Sequence, residues 1–348
     1  MIRRQEVARM EKLKFCLAGV GSIGRRHLRL LGERDDVTLC VAEPSDASWA
    51  RASEKSKGVM RYLSLEEALA AEGPDAVVIA TPHGMHAGMA LEALSAGAHV
   101  FCEKPMSDSL EECVAMLRAA EACGKVFSVG FMFRFDPFIK KVKALIDSGR
   151  IGQIVHYSSR FATYNTLLCS VTRHQANTPF SIVMDCIHDT DLLCHLTGRV
   201  PDHVFASAIH AGELPLSSPQ NVIDTIYRWN SGDLAAFTHF NYVEHPQVHT
   251  LEITGDKGYI QGDFMTAAIT VGSIDGTIEQ LSAPRIFDDV YRAEWDHFIR
   301  AVRGEVPAEN PARSAILPTL LMQGQKESVA EGQEVDLHEI AARYGFHY

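Results

Sequence analysis

The sequence lacks a long apolar run, an excess of basic charge and any paired cysteine motif. Its 348 residues include 33 Lys and Arg against 44 Asp and Glu, which gives a formal net charge of −11. Such a chain repels phosphate backbones and anionic lipids, so nucleic acid and membrane surfaces are not expected partners. No apolar stretch approaches the ~20 residues that span a bilayer. Residues 1–14 are basic and polar, without the apolar core of a signal peptide.

The cysteines are isolated from one another. Eight are present, and no two have C-x-x-C spacing. Most lie among apolar neighbours, where a free cysteine behaves as a small hydrophobic residue. This usage is typical of a reducing compartment, and no cysteine or histidine pair has the spacing of a metal site. We therefore expect a cytoplasmic protein without disulfides and without a bound metal.

Short, continuously apolar segments alternate with helical segments over the first part of the chain. The predicted strands begin near Phe15, Val37, Ala76, His99 and Val126. This alternation is typical of a parallel sheet that is covered on both faces. Because crossover connections are right-handed, a doubly wound α/β (Rossmann) fold is the natural result.

The pattern changes after about Gly130. Segments with strand character then follow one another with few helices between them, which predicts an α+β domain with a large, mostly antiparallel open sheet. We assign residues 1–12 to an N-terminal extension and 13–133 to the Rossmann dinucleotide-binding domain. Residues 134–348 are assigned to an α+β substrate-binding and oligomerisation domain, whose terminal helices could pack back on the first domain.

A glycine motif lies between the first predicted strand and the first predicted helix. Residues 19–24 read GVGSIG, a G-x-G-x-x-G pattern. In a βαβ unit, Gly19 allows a tight turn, Gly21 lets the backbone approach a pyrophosphate, and Gly24 lets helix and strand pack closely. The amides of Ser22 and Ile23 then face the phosphates at the helix N-terminus. The alternative is a glycine turn without a ligand.

Glu43 ends the second predicted strand, nineteen residues after Gly24. A carboxylate at this place accepts hydrogen bonds from the adenosine ribose diol and repels a 2′-phosphate. NAD is therefore the expected cofactor, and NADP is less favoured. Arg25 and Arg26 keep the NADP alternative open, because arginines near the loop could bind a phosphate.

Polar segments also follow the third and fourth predicted strands. TPHGMH occupies residues 81–86 and EKP occupies residues 103–105. Both fall at the carboxyl ends of parallel strands, where ligands bind in this architecture. A lysine there can hydrogen-bond a substrate hydroxyl or carbonyl oxygen. From these segments we expect the cofactor to contact Thr81, Pro82, His83, His86, Glu103 and Lys104.

A third polar segment, DCIHDTD at residues 185–191, opens another predicted helix. Removing a hydride from an alcohol needs a base for the hydroxyl proton, and histidine suits this near neutral pH. His188 is the candidate base, with Asp185 or Lys104 to orient it. Two alternatives remain open: Asp185 caps the helix, or Asp185, His188 and Asp191 contribute to a divalent metal site.

Taken together, the motifs resemble the glucose–fructose oxidoreductase/inositol dehydrogenase family, called Gfo/Idh/MocA, from about residue 14 to about residue 330. IATPHGMHAGMALEALSAGAHVFCEKPMS, LEITGDKGYIQGD and YRAEWDHFIRAVRGEVP all fit its pattern. The resemblance implies that Lys104 contacts substrate and nicotinamide and that His188 is the catalytic histidine. It also implies that Asp185 is the acidic partner, although many members place this aspartate four residues before the histidine. A homo-oligomer, either a dimer or a tetramer, is implied as well.

The resemblance also suggests what the chain binds and does. Arg134 and Tyr291 lie in segments that often reach the substrate, and Arg173 lies in an unusual loop before Asp185; each could equally be a packing or surface residue. The expected activity is NAD-dependent oxidation of a secondary hydroxyl of a sugar, sugar derivative or inositol. Two alternatives remain: a tightly bound, internally recycled cofactor that serves transhydrogenation or elimination, and a non-catalytic dinucleotide-binding regulator.

Overall fold

The structure, a computed structural model, describes residues 11–53, 58–169, 178–212 and 218–348. These residues form two compact units. The first unit contains the described chain up to Glu103, together with Ala115–Gly130 and Trp295–Ala312. The second unit contains Lys104–Val114, Phe131–Glu294 and Arg313–Tyr348.

The first unit is built on a parallel sheet. Within the described residues this sheet has six strands in the order β3-β2-β1-β4-β5-β6. The strands are β1 (Leu13–Ala18), β2 (Val37–Ala42), β3 (Met60–Tyr62), β4 (Ala76–Ile79), β5 (His99–Cys102) and β6 (Phe127–Val129). All residues of β4 are buried, as expected for a central strand covered on both faces. The predicted doubly wound fold is confirmed, whereas the short edge strand β3 was not predicted.

Helices alternate with these strands along the chain. They are Ser22–Gly32, Asp46–Ser53, Leu65–Glu72, His86–Ser95 and Leu110–Cys123. Local signals fix the ends of Leu65–Glu72: Ser64 accepts a hydrogen bond from the Glu67 amide, and Gly73 ends the helix in the left-handed conformation. This helix thus begins and ends where capping chemistry allows.

An aromatic cluster lies in the core of the first unit. The Trp295 ring lies 4.4 Å from Phe101 and 6.2 Å from Phe15, measured between centroids. His27, on the first helix, meets the Trp295 ring edge-on at 5.1 Å. Trp295 comes from the helix Phe287–Val302, so a residue late in the sequence completes the core around β1 and β5.

The second unit is built on a mostly antiparallel sheet. The described part has nine strands in the order β14-β13-β12-β11-β7-β10-β9-β8-β15, and β7 and β10 are the parallel pair among them. The strands are β7 (Ile154–Ala162), β8 (His203–Ile209), β9 (Val222–Arg228), β10 (Ala235–Asn241), β11 (Val248–Gly255), β12 (Gly258–Asp263), β13 (Ala268–Ser273), β14 (Ile278–Ser282) and β15 (Val335–Asp336). The α+β prediction is confirmed, although β12, β14 and β15 were not predicted.

One face of the large sheet is apolar and buried, and the other is open. Along β8, β9 and β10, buried residues alternate with exposed ones, as a half-covered sheet requires. Phe205, Ile226 and Phe237 are exposed and are direct neighbours in register across these three strands. They form an apolar row on the open face. The expected homo-oligomer stays a prediction.

The remaining described helices are Pro137–Asp147, Asn165–Cys169, Ser181–Asp185, Ile187–Thr197, Phe287–Val302, Ala312–Glu331 and Leu337–Arg343. Asp136 caps the first of these by accepting the Phe138 amide, and Pro137 occupies its first turn. Within the described ranges, no helix combines the length and apolar character needed to cross a membrane.

We expect Trp295→Ala to destabilise the protein by about 3–5 kcal/mol, because a fully buried aromatic ring is replaced by a cavity. Guanidinium-induced unfolding followed by circular dichroism measures this loss. Trp49→Ala is the matched control: because Trp49 is only half-buried, its replacement should lower the free energy of unfolding much less. Equal losses for the two variants would contradict the assignment of Trp295 to the core.

Candidate active site

The glycine loop follows β1 and leads into the helix Ser22–Gly32. Gly19 has a φ of +88°, and a Cβ on it would lie 2.8 Å from the Ala80 carbonyl oxygen. A Cβ on Gly24 would lie 2.2 Å from the Gly19 carbonyl oxygen. In both cases the added Cβ would collide with a backbone atom, which cannot move aside as a flexible side chain could. Both glycines are therefore required by the packing of β1, the loop and the helix.

Gly21 is a glycine for a different reason. A Cβ built on it meets no described atom within 4 Å. The adjoining helix begins at Ser22, and among the described residues no side chain caps it. Its first amides are thus free to bind an anion, and the absence of a Cβ on Gly21 lets one approach the backbone. The loop fits the pyrophosphate of a dinucleotide.

Glu43 follows β2 and lies beside this loop. Its Oε2 accepts the Val20 amide at 3.0 Å, and its Oε1 accepts the Ser45 amide at 2.8 Å. The side chain is buried, with 7% exposed. Each carboxylate oxygen can accept a further hydrogen bond. The two amides hold the carboxylate where a ribose diol could donate to it.

The segment after β4 forms a tight turn. His83 opens a 3₁₀ turn, His83–Met85, after Thr81 and Pro82. The Nε2 atom of His86 lies 3.0 Å from the Thr81 carbonyl oxygen, and His86 is buried. The described bond of His86 therefore fixes this turn. Its predicted contact with the cofactor stays a prediction.

His27 holds the Glu103 side chain, and sequence reasoning missed it. Its Nε2 lies 2.7 Å from Glu103 Oε1, and both side chains are buried. A signal was present: His27 is the one ionisable residue on the buried face of its helix, among Gly24, Leu28, Leu30 and Leu31. This bond ties the dinucleotide-loop helix to the residue that directly precedes Lys104.

Lys104 and His188 both belong to the second unit. Burial lowers the pKa of His188 well below its ordinary value of 6.5, and the electrostatic effects of Lys104 and His249 lower it further. The rings of Phe131 and Phe133 lie 5.9 Å and 4.8 Å from the imidazole. His188 thus packs near two aromatic rings, and its lowered pKa favours the neutral imidazole.

The described atoms offer no hydrogen-bond partner to the buried Nδ1 of His188. Nε2 is thus the nitrogen that can meet a substrate. No hydrogen bond joins His188 to Asp185 among the described residues, and the orienting role of Asp185 or Lys104 stays a prediction. Phe131 and Phe133 pack near the imidazole.

Asp185 bonds to a tyrosine. The Tyr242 hydroxyl donates to Asp185 Oδ2 at 2.5 Å. Asp185 is the last residue of the helix Ser181–Asp185, and the next helix begins at Ile187 after Cys186, without a side-chain cap in the described residues. Asp185 therefore does not cap the helix that carries His188. The helix that carries His188 begins at Ile187, within the predicted polar segment.

The two other aspartates of the 185–191 segment are committed to buried pairs. Arg134 bonds Asp191 through both Nε, at 3.0 Å, and Nη2, at 2.6 Å, and both side chains are buried. Asp189 Oδ1 lies 3.0 Å from Nε2 of the buried His249. The described bonds of Arg134 thus make it an anchor for its own segment, Met132–Phe135. Its contact with substrate stays a prediction.

The structure gives little information on the remaining predicted substrate contacts. Tyr291 is buried on the helix Phe287–Val302, with 7% exposed. Arg173 lies outside the described residues. Within the described ranges, no three His, Cys, Asp or Glu side chains form a cluster that could hold a metal ion. Asp191 in particular is taken by Arg134, which disfavours the metal alternative.

We expect the two glycine substitutions Gly24→Ala and Gly21→Ala to act differently. Gly24→Ala should lower the melting temperature, because its Cβ collides with the Gly19 carbonyl. Gly21→Ala should keep the wild-type melting temperature but weaken NAD binding by about tenfold or more, that is ~1.4 kcal/mol. Thermal unfolding and calorimetric titration with NAD measure the two effects.

Gly32→Ala is the control for this pair, since a Cβ there meets no described atom and lies at the far end of the same helix. It should change neither property. Wild-type NAD affinity in Gly21→Ala would show that the loop is not the pyrophosphate site.

Comparison with known proteins places both parts of the chain in one family. Residues 13–131 match the family model described as oxidoreductase family, NAD-binding Rossmann fold, and residues 139–261 match the GFO/IDH/MocA C-terminal domain. A 2,7-anhydro-N-acetylneuraminate hydratase of Escherichia coli is 28% identical over 272 residues, which is 74% of this chain and 69% of that protein. A myo-inositol 2-dehydrogenase of Thermotoga maritima is 25% identical over 338 residues, covering 94% and 99%.

A solved structure shows the same fold over nearly the whole chain. An oxidoreductase from Agrobacterium radiobacter, in complex with NAD+, L-tartaric acid and magnesium, superposes with a TM-score of 0.85 at 19% identity. The match covers 94% of this chain and 99% of that one. The chain thus belongs to the Gfo/Idh/MocA family of oxidoreductases, and its N-terminal domain is the family's NAD-binding Rossmann domain.

Proposed function

We propose that this protein is an NAD-dependent dehydrogenase that oxidises a secondary hydroxyl on a cyclic polyol or sugar. The observation that carries the proposal is the packing of His188 near Phe131 and Phe133, in the same compact unit as Lys104, where burial and Lys104 both lower the histidine pKa. A regulator that only binds a dinucleotide would not need this pair. The Thermotoga maritima relative, a myo-inositol 2-dehydrogenase, supports an inositol-like substrate.

The chemistry divides between the cofactor and the chain. NAD, when bound, accepts the hydride. His188 takes the hydroxyl proton at Nε2, because its lowered pKa keeps that nitrogen unprotonated at neutral pH. Lys104 donates a hydrogen bond to the same oxygen and stabilises the negative charge that develops on it.

The first unit supplies the binding groups for NAD. Gly21 and the amides of Ser22 and Ile23 receive the pyrophosphate. Glu43 accepts the ribose hydroxyls and disfavours a 2′-phosphate at the same position. These contacts support NAD over NADP.

A second function is supported by the hydratase relative. Adding or removing water changes no net oxidation state, so a family member that does so with NAD must return each hydride within one turnover. The Escherichia coli protein that is 28% identical is named a hydratase. The same Lys104 and His188 could serve that chemistry, because proton transfer is needed in both reactions.

Incubation of the purified protein with NAD or NADP and a panel of inositols, aldoses, uronates and glycosides tests the proposal. We expect NADH to accumulate with one class of cyclic polyol or sugar, and NADP to be reduced more slowly. If calorimetry shows that NAD binds but no compound yields NADH, the proposed dehydrogenase activity is wrong. Product analysis for gain or loss of water would then test the second function.

We expect the acid-side limb of the pH profile of kcat/KM to lie below pH 6.5, because the pKa of His188 is lowered and the base stays neutral in mild acid. His188→Asn should lower kcat by about 10²–10⁴-fold, the contribution of a general base, without loss of NAD binding.

Lys104→Met should move the acid-side limb of the kcat/KM profile to higher pH, since it removes a positive charge that lowers the pKa of His188.

The control is His338→Asn, a surface histidine whose Nε2 lies 2.6 Å from Asp202 Oδ1. It should leave the profile unchanged. An acid limb that stays in place in Lys104→Met would contradict the electrostatic role of the lysine.

A further inference from the structure

Arg61 lies on β3, the edge strand beside β2, and its side chain reaches the segment that follows β2. Its register partner on β2 is Val41, two residues before Glu43. Its Nε donates to the Glu43 carbonyl oxygen at 2.9 Å, and its Nη2 donates to the Pro44 carbonyl oxygen at 3.1 Å. Its Nη1 donates to Asp46 Oδ1 at 2.7 Å. All three nitrogens of the guanidinium group therefore hold this segment.

The main chain of Glu43 is held by β3 on both sides of its Cα atom. The Glu43 amide donates to the Tyr62 carbonyl oxygen at 3.0 Å, and the Glu43 carbonyl oxygen accepts from Arg61. The carboxylate is fixed separately, by the amides of Val20 and Ser45. A planar guanidinium group keeps its acceptors in a fixed geometry. Arg61 thus fixes the backbone from which the proposed ribose acceptor extends.

The bond to Asp46 differs from the two others, because its acceptor is charged and exposed. The Asp46 side chain is 93% exposed, whereas that of Arg61 is 18% exposed. An exposed ion pair contributes little to the free energy of folding. This pair does, however, engage a positive charge that is bonded to the main chain of Glu43, and a free guanidinium group is a good phosphate ligand. Asp46 is therefore better suited to ligand selection than to folding.

The helix after this segment also meets Arg61. The guanidinium carbon lies 6.0 Å from the centroid of the Trp49 ring, within reach of a cation–π interaction. Trp49 and Asp46 both belong to the helix Asp46–Ser53. Removing the guanidinium group would thus loosen the strand, the segment and the helix together, whereas neutralising Asp46 leaves the two bonds to carbonyl oxygens in place.

We propose that Arg61 and Asp46 form a selectivity pair for the cofactor. Arg61 positions Glu43 for the ribose of NAD, and Asp46 withholds the guanidinium charge from the 2′-phosphate of NADP. The inference rests on the proposed preference for NAD over NADP and deepens it, whatever substrate is oxidised. When Asp46 loses its charge, Nη1 of Arg61 becomes a donor to the 2′-phosphate.

Asp46→Asn tests the role of the aspartate, because it removes the charge, keeps the size and changes an exposed side chain. Calorimetric titrations of the full chain with NAD and with NADP measure the two dissociation constants. We expect Asp46→Asn to bind NADP about tenfold more tightly, as a hydrogen bond between charged groups contributes, and to change NAD affinity much less. An unchanged affinity for NADP would overturn the proposal.

A double-mutant cycle separates phosphate binding by Arg61 from a simple loss of repulsion. Asp46→Asn also removes a negative charge that repels the phosphate, and this gain does not need Arg61. In an Arg61→Met background, Asp46→Asn should therefore change the NADP dissociation constant by less than about twofold, as an exposed charge does. The same tenfold gain with and without Arg61 would show that repulsion alone selects the cofactor, and the pair would be refuted.

Arg61→Met by itself tests the positioning of Glu43. We expect NAD to bind about tenfold more weakly, because the Glu43 main chain loses a charged donor, while the affinity for NADP changes much less. A merely structural role would weaken both dinucleotides by the same factor. Equal losses for NAD and NADP would therefore contradict the positioning role.

The matched controls are Glu334→Gln and Arg228→Met, which break another exposed ion pair, in the second unit. Neither should change either dissociation constant, and shifts equal to those of Asp46→Asn and Arg61→Met would attribute the effects to net charge and overturn the proposal. If the wild type binds NADP as tightly as NAD, the proposed preference fails. A gain in Asp46→Asn that requires Arg61 would still establish the pair.

Discussion

The positive charge of Lys104 acts on a histidine that is already partly withdrawn from water, and both effects lower the pKa of His188. The proposed chemistry depends on this interaction, because a general base must be neutral before the reaction and must lie near a group that stabilises the charge it creates. Phe131 and Phe133 maintain it, since their rings exclude water from one side of the imidazole. The Arg134–Asp191 pair fixes the segment that carries these rings.

The segment at residues 185–191 carries three aspartates with three different partners. Asp185 bonds Tyr242, Asp189 bonds His249, and Asp191 bonds Arg134. The last two pairs are buried, where an unpaired charge would cost several kcal/mol. They anchor the helix Ile187–Thr197, which also carries His188, to its neighbours. Asp185 is less buried than the other two aspartates.

The glycine loop shows two separate constraints within six residues. Gly19 and Gly24 are fixed by the protein's own packing, whereas Gly21 meets no described atom. A sequence pattern alone treats the three alike. Only the coordinates distinguish Gly19 and Gly24, which the packing requires, from Gly21, which it does not. The same separation applies to His86 and His27, whose described bonds hold a turn and a helix in place.

The sequence by itself determined the succession of a parallel α/β sheet and a mostly antiparallel sheet, the glycine loop and the motifs that carry Lys104 and His188. These depend on local periodicity and on short spacings. Tertiary structure decided which side chains meet. Tyr242 and Asp185 are 57 residues apart, and His27 and Glu103 are 76 apart. Such pairs depend on strand register and helix packing, which local propensity does not encode. For the same reason the short edge strands β3, β14 and β15 were missed: their pairing comes from the neighbouring strand and not from their own composition.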